Sequence, residues 1–206
     1  MTAYVEPLLV EALISAPGCP ETIVERMLRQ AMVDFYRETD AWRYTTDIAA
    51  VIRNRGEVEV DLPANTLIRR VYWARLDGKP LMAVSPRNVG TDTGVPRGYA
   101  INGLTRTLRL DPIPEQTYLR NGLEVNVSLL PLPELDDLPD ELYAIHRDGI
   151  LYGAVARLLA MPNVSWSSLQ DAQVYAAMAS GVKQSAKREA ESLQAPVVRK
   201  VRYGGI

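Results

Sequence analysis

The hydrophobic period of this 206-residue chain changes twice, and those two changes limit what it can fold into. From Glu21 to Thr39, Ile23, Met27, Leu28, Ala31, Phe35 and Tyr36 recur at three- and four-residue steps, the spacing of one helix face. Past Trp42 the step becomes two. Val58, Val60 and Leu62 alternate with Glu57, Glu59 and Asp61, as on a strand with one wet face. From Pro139 to Met161 the helical step returns, with Leu142, Ile145, Gly149, Tyr152, Ala156 and Leu159 on one side. Helical pieces on both sides of a β segment predict an α+β chain. The expected architecture is a helical bundle of about four helices, with an inserted small antiparallel β-sandwich or barrel module and an extended C-terminal arm. On that division 1–41 and 137–193 form the helical domain, 42–136 the β-module and 194–206 the arm.

Local signals place the elements. Met1 to Ala16 reads as a short helix with Leu8, Leu9, Ala12 and Leu13 on its apolar side, closed by the turn Pro17-Gly18-Cys19-Pro20. Pro20 suits the start of the second helix, whose stripe is expected to dock on the Pro139–Met161 helix. Pro162 forbids that helix from continuing. Gly149 and Gly153 inside it each cost ~1 kcal/mol relative to alanine, which points to a close neighbour. Ser168 to Leu193 follows as an alanine-rich helix. In the β segment, Leu67–Leu76 and Lys79–Val84 flank the hairpin dipeptide Asp77-Gly78, and Tyr99–Ile101 and Thr105–Leu110 flank Asn102-Gly103. Ser85 to Gly98 reads as a surface loop, Leu123–Leu129 as another strand, and the proline pairs at 112/114 and 131/133 as strand ends.

Chemistry is harder to find. A general base needs a titratable group beside a nucleophile, and the one histidine, His146, has no nearby serine or cysteine in sequence, so it reads as an ordinary helix residue. Cys19, the one cysteine, reads as a small turn residue and allows no intrachain disulfide. The acids Glu134, Asp136, Asp137, Asp140 and Glu141 lack calcium-loop spacing and read as helix capping at Pro139. Trp42, Trp73 and Trp166 read as packing residues, and Gly90, Gly94 and Gly98 lack the order of a phosphate loop. No catalytic, metal or cofactor-binding residue is assigned. A formal net charge of -2 argues against a dedicated DNA wrapper, and the absence of a run of eighteen apolar residues predicts no membrane span.

The C-terminal stretch is distinctive. In an extended chain Val197, Val201 and Tyr203 share one side, which Arg199 interrupts, while Lys200 and Arg202 take the other. Ordering about ten residues costs on the order of 10–20 kcal/mol of backbone entropy. Burying three or four apolar side chains returns only ~5–10 kcal/mol. Such an arm docks only with main-chain pairing to a partner, helped by repetition around a ring.

The whole order of signals resembles the head-to-tail adaptor proteins of tailed bacteriophages, the group that includes tail tubular protein A. The residues concerned are Ala16–Pro20, Leu28–Ala31, Phe35–Thr39, Trp42, Leu108–Pro114, Leu138–Leu142, Gly153-Ala154, Leu158–Pro162, Trp166 and Ala172 with Tyr175. The resemblance implies a structural virion protein without catalysis, located at the portal vertex and assembled in the host cytoplasm. It implies a self-associated ring, twelve-fold in relatives, that prolongs the channel for double-stranded DNA. The portal protein and a tail or nozzle protein would be its partners. Carried onto this chain, the portal-binding arm comprises Val197, Val198, Arg199, Lys200, Val201, Arg202 and Tyr203. Subunit contacts fall to the last two helices and the β-module. A tail-completion or stopper protein is the neighbouring alternative; a small hydrolase or ligand-binding protein is the remote one.

Overall fold

The computed structural model describes residues 2–192, with side chains from Tyr4 onward. Along the chain run β1 (Thr2–Ala3), α1 (Val5–Ser15), α2 (Glu21–Thr39), β2 (Arg43–Thr45), β3 (Ala49–Val51) and β4 (Glu57–Glu59). Then come β5 (Thr66–Leu76), β6 (Lys79–Ala83), β7 (Thr93–Gly94), β8 (Gly98–Ala100), β9 (Thr107–Asp111), β10 (Ile113–Pro114) and β11 (Tyr118–Pro131). β12 (Asp137–Leu138), α3 (Asp140–Leu159) and α4 (Leu169–Ser192) complete the described part. The chain is α+β: helices packed on one another, with a curled sheet inserted between α2 and α3.

The helix ends follow from their residues. Asp40 takes the left-handed conformation (φ 54°) that closes α2, its N–H donating to the Tyr36 carbonyl. Ser168 starts α4: its Oγ accepts the Asp171 N–H at 3.4 Å while its hydroxyl donates to the Asp171 carboxylate at 2.7 Å. The start of α3 differs from the expected acid cap. Pro139 is the N-cap and offers no side-chain bond, and Asp137 pairs in β12 with Ala3. Asp140 and Glu141 still sit in the first turn, where the helix dipole favours negative charge.

The buried faces are rotated from those the period suggests. On α2, Val24, Leu28, Ala31, Met32, Phe35 and Tyr36 are buried, while Ile23 and Met27 lie half-buried at its margin. On α3 the buried set is His146, Gly149, Ile150, Leu151, Ala154, Val155, Leu158 and Leu159, whereas Ile145 is 58% exposed. Helix α3 is packed by both α2 and α4, so it buries a wide arc rather than one stripe. Gly149 is the close approach. A Cβ there would stand 2.5 Å from Phe35 Cε2 and 2.9 Å from Val182 Cγ1, on α2 and α4 respectively. Gly153 has ordinary room, 3.5 Å from Ala31.

One sheet runs β2-β11-β5-β6-β8-β9-β4, with β3 also on β11. It curls into a half-barrel, β3 and β4 approaching one another, around Val51, Val58, Leu108, Leu110, Leu123 and Val125. Most pairs are antiparallel, but β6–β8 is parallel, as is the separate β7–β10 pair, of which β7 falls in the expected 85–98 loop. Asp77 (φ 53°) and Gly78 (φ 72°) make the tight β5–β6 turn that their dipeptide predicts. Asn102-Gly103 does not make a two-residue turn. The β8–β9 connection spans 101–106, because the Thr105 carbonyl accepts the Ile68 N–H (2.8 Å) and the Arg106 carbonyl the Val60 N–H (3.0 Å). Trp42 joins the two parts: its ring lies 5.6 Å from that of Tyr36 and its carbonyl accepts the Leu129 N–H. Buried residues of helices and sheet form one continuous core.

Candidate assembly surfaces

Two helices present apolar side chains outward. On α1, Val10 and Ile14 lie one turn apart and are exposed, Ile14 by 76%. On α4, Val174 and Met178 repeat that spacing, and Leu169 is exposed at the helix start. The helices meet where the Ser15 and Tyr175 hydroxyls stand 3.3 Å apart, with Tyr175 in turn against Tyr152. The opposite side of α4 explains why these residues stay out. Ala172, Ala179 and Ala186 recur every seven residues, are buried, and let α4 lie close to its neighbours.

A charged groove of about 680 Å³ lies between α2, α3 and α4. Gly153, Ala156, Ala176 and Ala179 are its small residues; Arg37, Arg157, Lys183 and Lys187 are cations of its walls, with Arg69 reaching in from β5. It adjoins a second hollow of about 450 Å³, where Arg43, Arg70 and Tyr72 join Arg69 and Lys187. Three carboxylates are woven into this surface. Asp34 binds both Arg37 (3.1 Å) and Arg157, Asp40 lies 3.4 Å from both Arg69 and Arg70, and Glu38 binds Lys183 at 3.0 Å. Partial burial pushes the Asp34 carboxyl up, but hydrogen bonds from Arg157 and Gln30 and the charges of Arg157 and Arg37 outweigh it and hold it below its ordinary value. Arg43 donates to the Ala190 carbonyl (2.8 Å) and stacks 3.2 Å over the Tyr72 ring. Arg157 Nη1, Arg43 Nε and the Tyr72 hydroxyl are buried without a hydrogen-bond partner among the described residues.

The acids flagged at Pro139 form a different surface. Arg29 on α2 holds the segment by donating to the carbonyls of Pro133 (2.9 Å) and Leu135 (3.2 Å) and to the Asp136 carboxylate (2.8 Å). Glu134, Asp137 and Glu141 remain exposed, and no described side chain makes an ion pair with them.

His146 is buried rather than superficial. Its Nδ1 lies 3.2 Å from the Tyr36 hydroxyl and its ring 5.0 Å from Phe35. Burial lowers its pKa to about 4, and burial raises that of the Tyr36 phenol. Its hydrogen-bond partner among the described residues is the Tyr36 phenol, which burial keeps protonated, so the pair is a satisfied polar spot in the core. Cys19 is buried, and burial pushes its thiol up, away from a reactive thiolate. Among the described residues no three His, Cys, Asp or Glu side chains cluster to hold a metal ion, and no helix is long and apolar enough to cross a membrane.

The arm residues Val197, Val198, Arg199, Lys200, Val201, Arg202 and Tyr203 lie outside the described residues. The groove was not legible in sequence, because its cations come from positions as far apart as 37, 69, 157 and 183. The Arg69-Arg70 pair and the one-turn spacing of Lys183 and Lys187 were the available hints.

A family model described as "SU10 adaptor protein" matches residues 8–200. A comparison with curated proteins found no match.

Proposed function

The chain belongs to the SU10 adaptor family, and from that membership we propose how it works as a head-to-tail adaptor at the portal vertex of a tailed-phage virion. Its role is structural: it connects head to tail and takes part in the channel through which the genome passes. The match across residues 8–200 is the observation that supports this reading.

Copies assemble around an axis, twelve to a ring, beneath the portal protein, and a tail or nozzle protein docks below. Residues 1–41 and 137–193 act as the helical body, 42–136 as the inserted β-module and 194–206 as the arm that reaches the portal. The outward apolar pairs Val10/Ile14 and Val174/Met178 support an association role, since exposed apolar pairs on rigid helices gain by being covered. The chain's net charge of -2 suits a conduit, because strong phosphate binding would hold DNA in place. Assembly takes place in the host cytoplasm before the tail joins.

Mixing the purified chain with purified portal rings, read by electron microscopy and mass photometry, tests this. A complete ring of added density on one end of the portal is expected. Portal rings that gain no mass at saturating chain concentration would overturn the reading.

A further inference from the structure

We infer that the groove between α2, α3 and α4 receives the acidic segment 134–141 of a second copy of this chain, an inference that rests on the ring reading above. Seven cationic side chains line the groove and its adjoining hollow, against four carboxylates counting Asp34 and Glu191, so the surface has a positive surplus of three on a chain of net charge -2. Lys187 has no anionic partner among the described residues, and Asp34 and Asp40 each serve two arginines. The groove is therefore short of anions.

The same chain exposes the complementary element. Glu134, Asp137 and Glu141 have no ion-pair partner among the described residues, and their backbone is already fixed. Arg29 binds the 133 and 135 carbonyls, and β12 pairs with β1. A pre-ordered segment loses little entropy when it docks. No groove cation pairs with these acids within one chain. A contact between unlike surfaces repeats head to tail and closes into a ring when the rotation allows.

Duplex DNA is the other polyanion at hand, and the groove suits it less well. Asp34, Glu38 and Asp40 are interleaved with the cations and would repel an unbroken row of phosphates. Discrete carboxylates, separated by main chain that can lie on Gly153, Ala156, Ala176 and Ala179, can be placed between them.

The test uses full-length chain assembled on portal rings from equal parts of isotopically heavy and light protein. Carbodiimide, which joins lysine amines to carboxylates without a spacer, is applied and the products are read by mass spectrometry. Mixed heavy–light links from Lys187 or Lys183 to Glu134, Asp137 or Glu141 are expected. The double variant Lys183→Glu/Lys187→Glu should reduce ring occupancy at least about tenfold, because like charges placed opposite each other repel. Adding Glu134→Lys, Asp137→Lys and Glu141→Lys to that variant should restore it. Thermal melts of each free variant establish that its fold is kept. Rings that form fully with the reversed groove and show none of these links would overturn the inference and leave the ring reading standing. Failure of the unaltered chain to form rings would overturn both. Binding of a random-sequence DNA duplex that the Lys183→Glu/Lys187→Glu change abolishes, with ring formation unaffected, would also overturn it and assign the groove to nucleic acid.

Discussion

At Gly149 two helices press on one position. Any Cβ there meets the Phe35 ring from α2, fully buried, and the Val182 methyl from α4, packed against the core. Overfilling such a contact typically costs 1–3 kcal/mol, so Gly149→Leu should lower the melting temperature by several degrees in calorimetry. Gly181 is the control. It lies exposed in α4 with nothing within 4 Å of a built Cβ, so Gly181→Ala should raise stability by up to ~1 kcal/mol. If both substitutions destabilise equally, crowding at 149 is not the cause. His146 supplies a residue-level pH dependence. The unfolded chain protonates this imidazole near its ordinary 6.5, the folded chain only near 4, because the ring is buried against Tyr36 and Phe35. Protons therefore favour the unfolded state between those values. The contribution is complete above pH 6.5 and is lost progressively as pH falls toward 4. At ~1.4 kcal/mol per unit it is at most about 3 kcal/mol. Chemical denaturation at pH 7 and pH 4.5 should show that loss in the native chain, and a smaller one in His146→Gln, where no imidazole remains to titrate.

Among elements, α4 is held by the smallness of its buried side. Ala172, Ala179 and Ala186 lie seven apart and nearly fully buried, and the same helix contributes Val182 to the contact at Gly149. Ala172→Leu should push α4 outward and destabilise by ~1–3 kcal/mol, with a lower urea midpoint as the measurement. At exposed Ala177 the same change should be nearly neutral. The alanine richness of α4 is readable in the sequence, as are the extents of α2, α3 and α4, because prolines and capping residues bracket strongly periodic stretches. The phase of α3 was not. Its sequence is apolar on several sides, so Leu142 and Ile145 competed with Ile150 and Ala154 for the centre of the buried arc, and only the two flanking helices decide it. The same limit explains the hairpins. Asp77-Gly78 joins strands that pair with each other, whereas the residues around Asn102-Gly103 are drawn to Val60 and Ile68, whose positions no local signal reveals. The groove was invisible for a related reason: it exists only once α2, β5, α3 and α4 are side by side.

For the whole molecule the question is which surfaces serve assembly. Deleting residues 197–206 should leave the melting transition unchanged while abolishing capture by immobilised portal rings. Unchanged capture would refute the portal-binding role of the arm. A separate prediction concerns contacts between copies. Val10, Ile14, Val174 and Met178 are exposed on the outer faces of α1 and α4, away from the core that each helix builds with Leu8, Ala12 and the alanine series. A lysine at such a position costs the monomer little, since surface changes usually fall within about 0.5 kcal/mol. Buried in an interface, the same lysine forfeits apolar contact and must shed its water, a cost of several kcal/mol when no partner charge is offered. In a closed ring this penalty recurs at each junction, so a modest pairwise defect becomes a large loss of complete rings. Ile14→Lys and Met178→Lys should therefore keep the native melting temperature yet leave portals bearing few or no complete rings in electron micrographs. Full rings with both variants would show that these helix faces stay in solvent, and would leave the charged surfaces and the β-module to make the junctions.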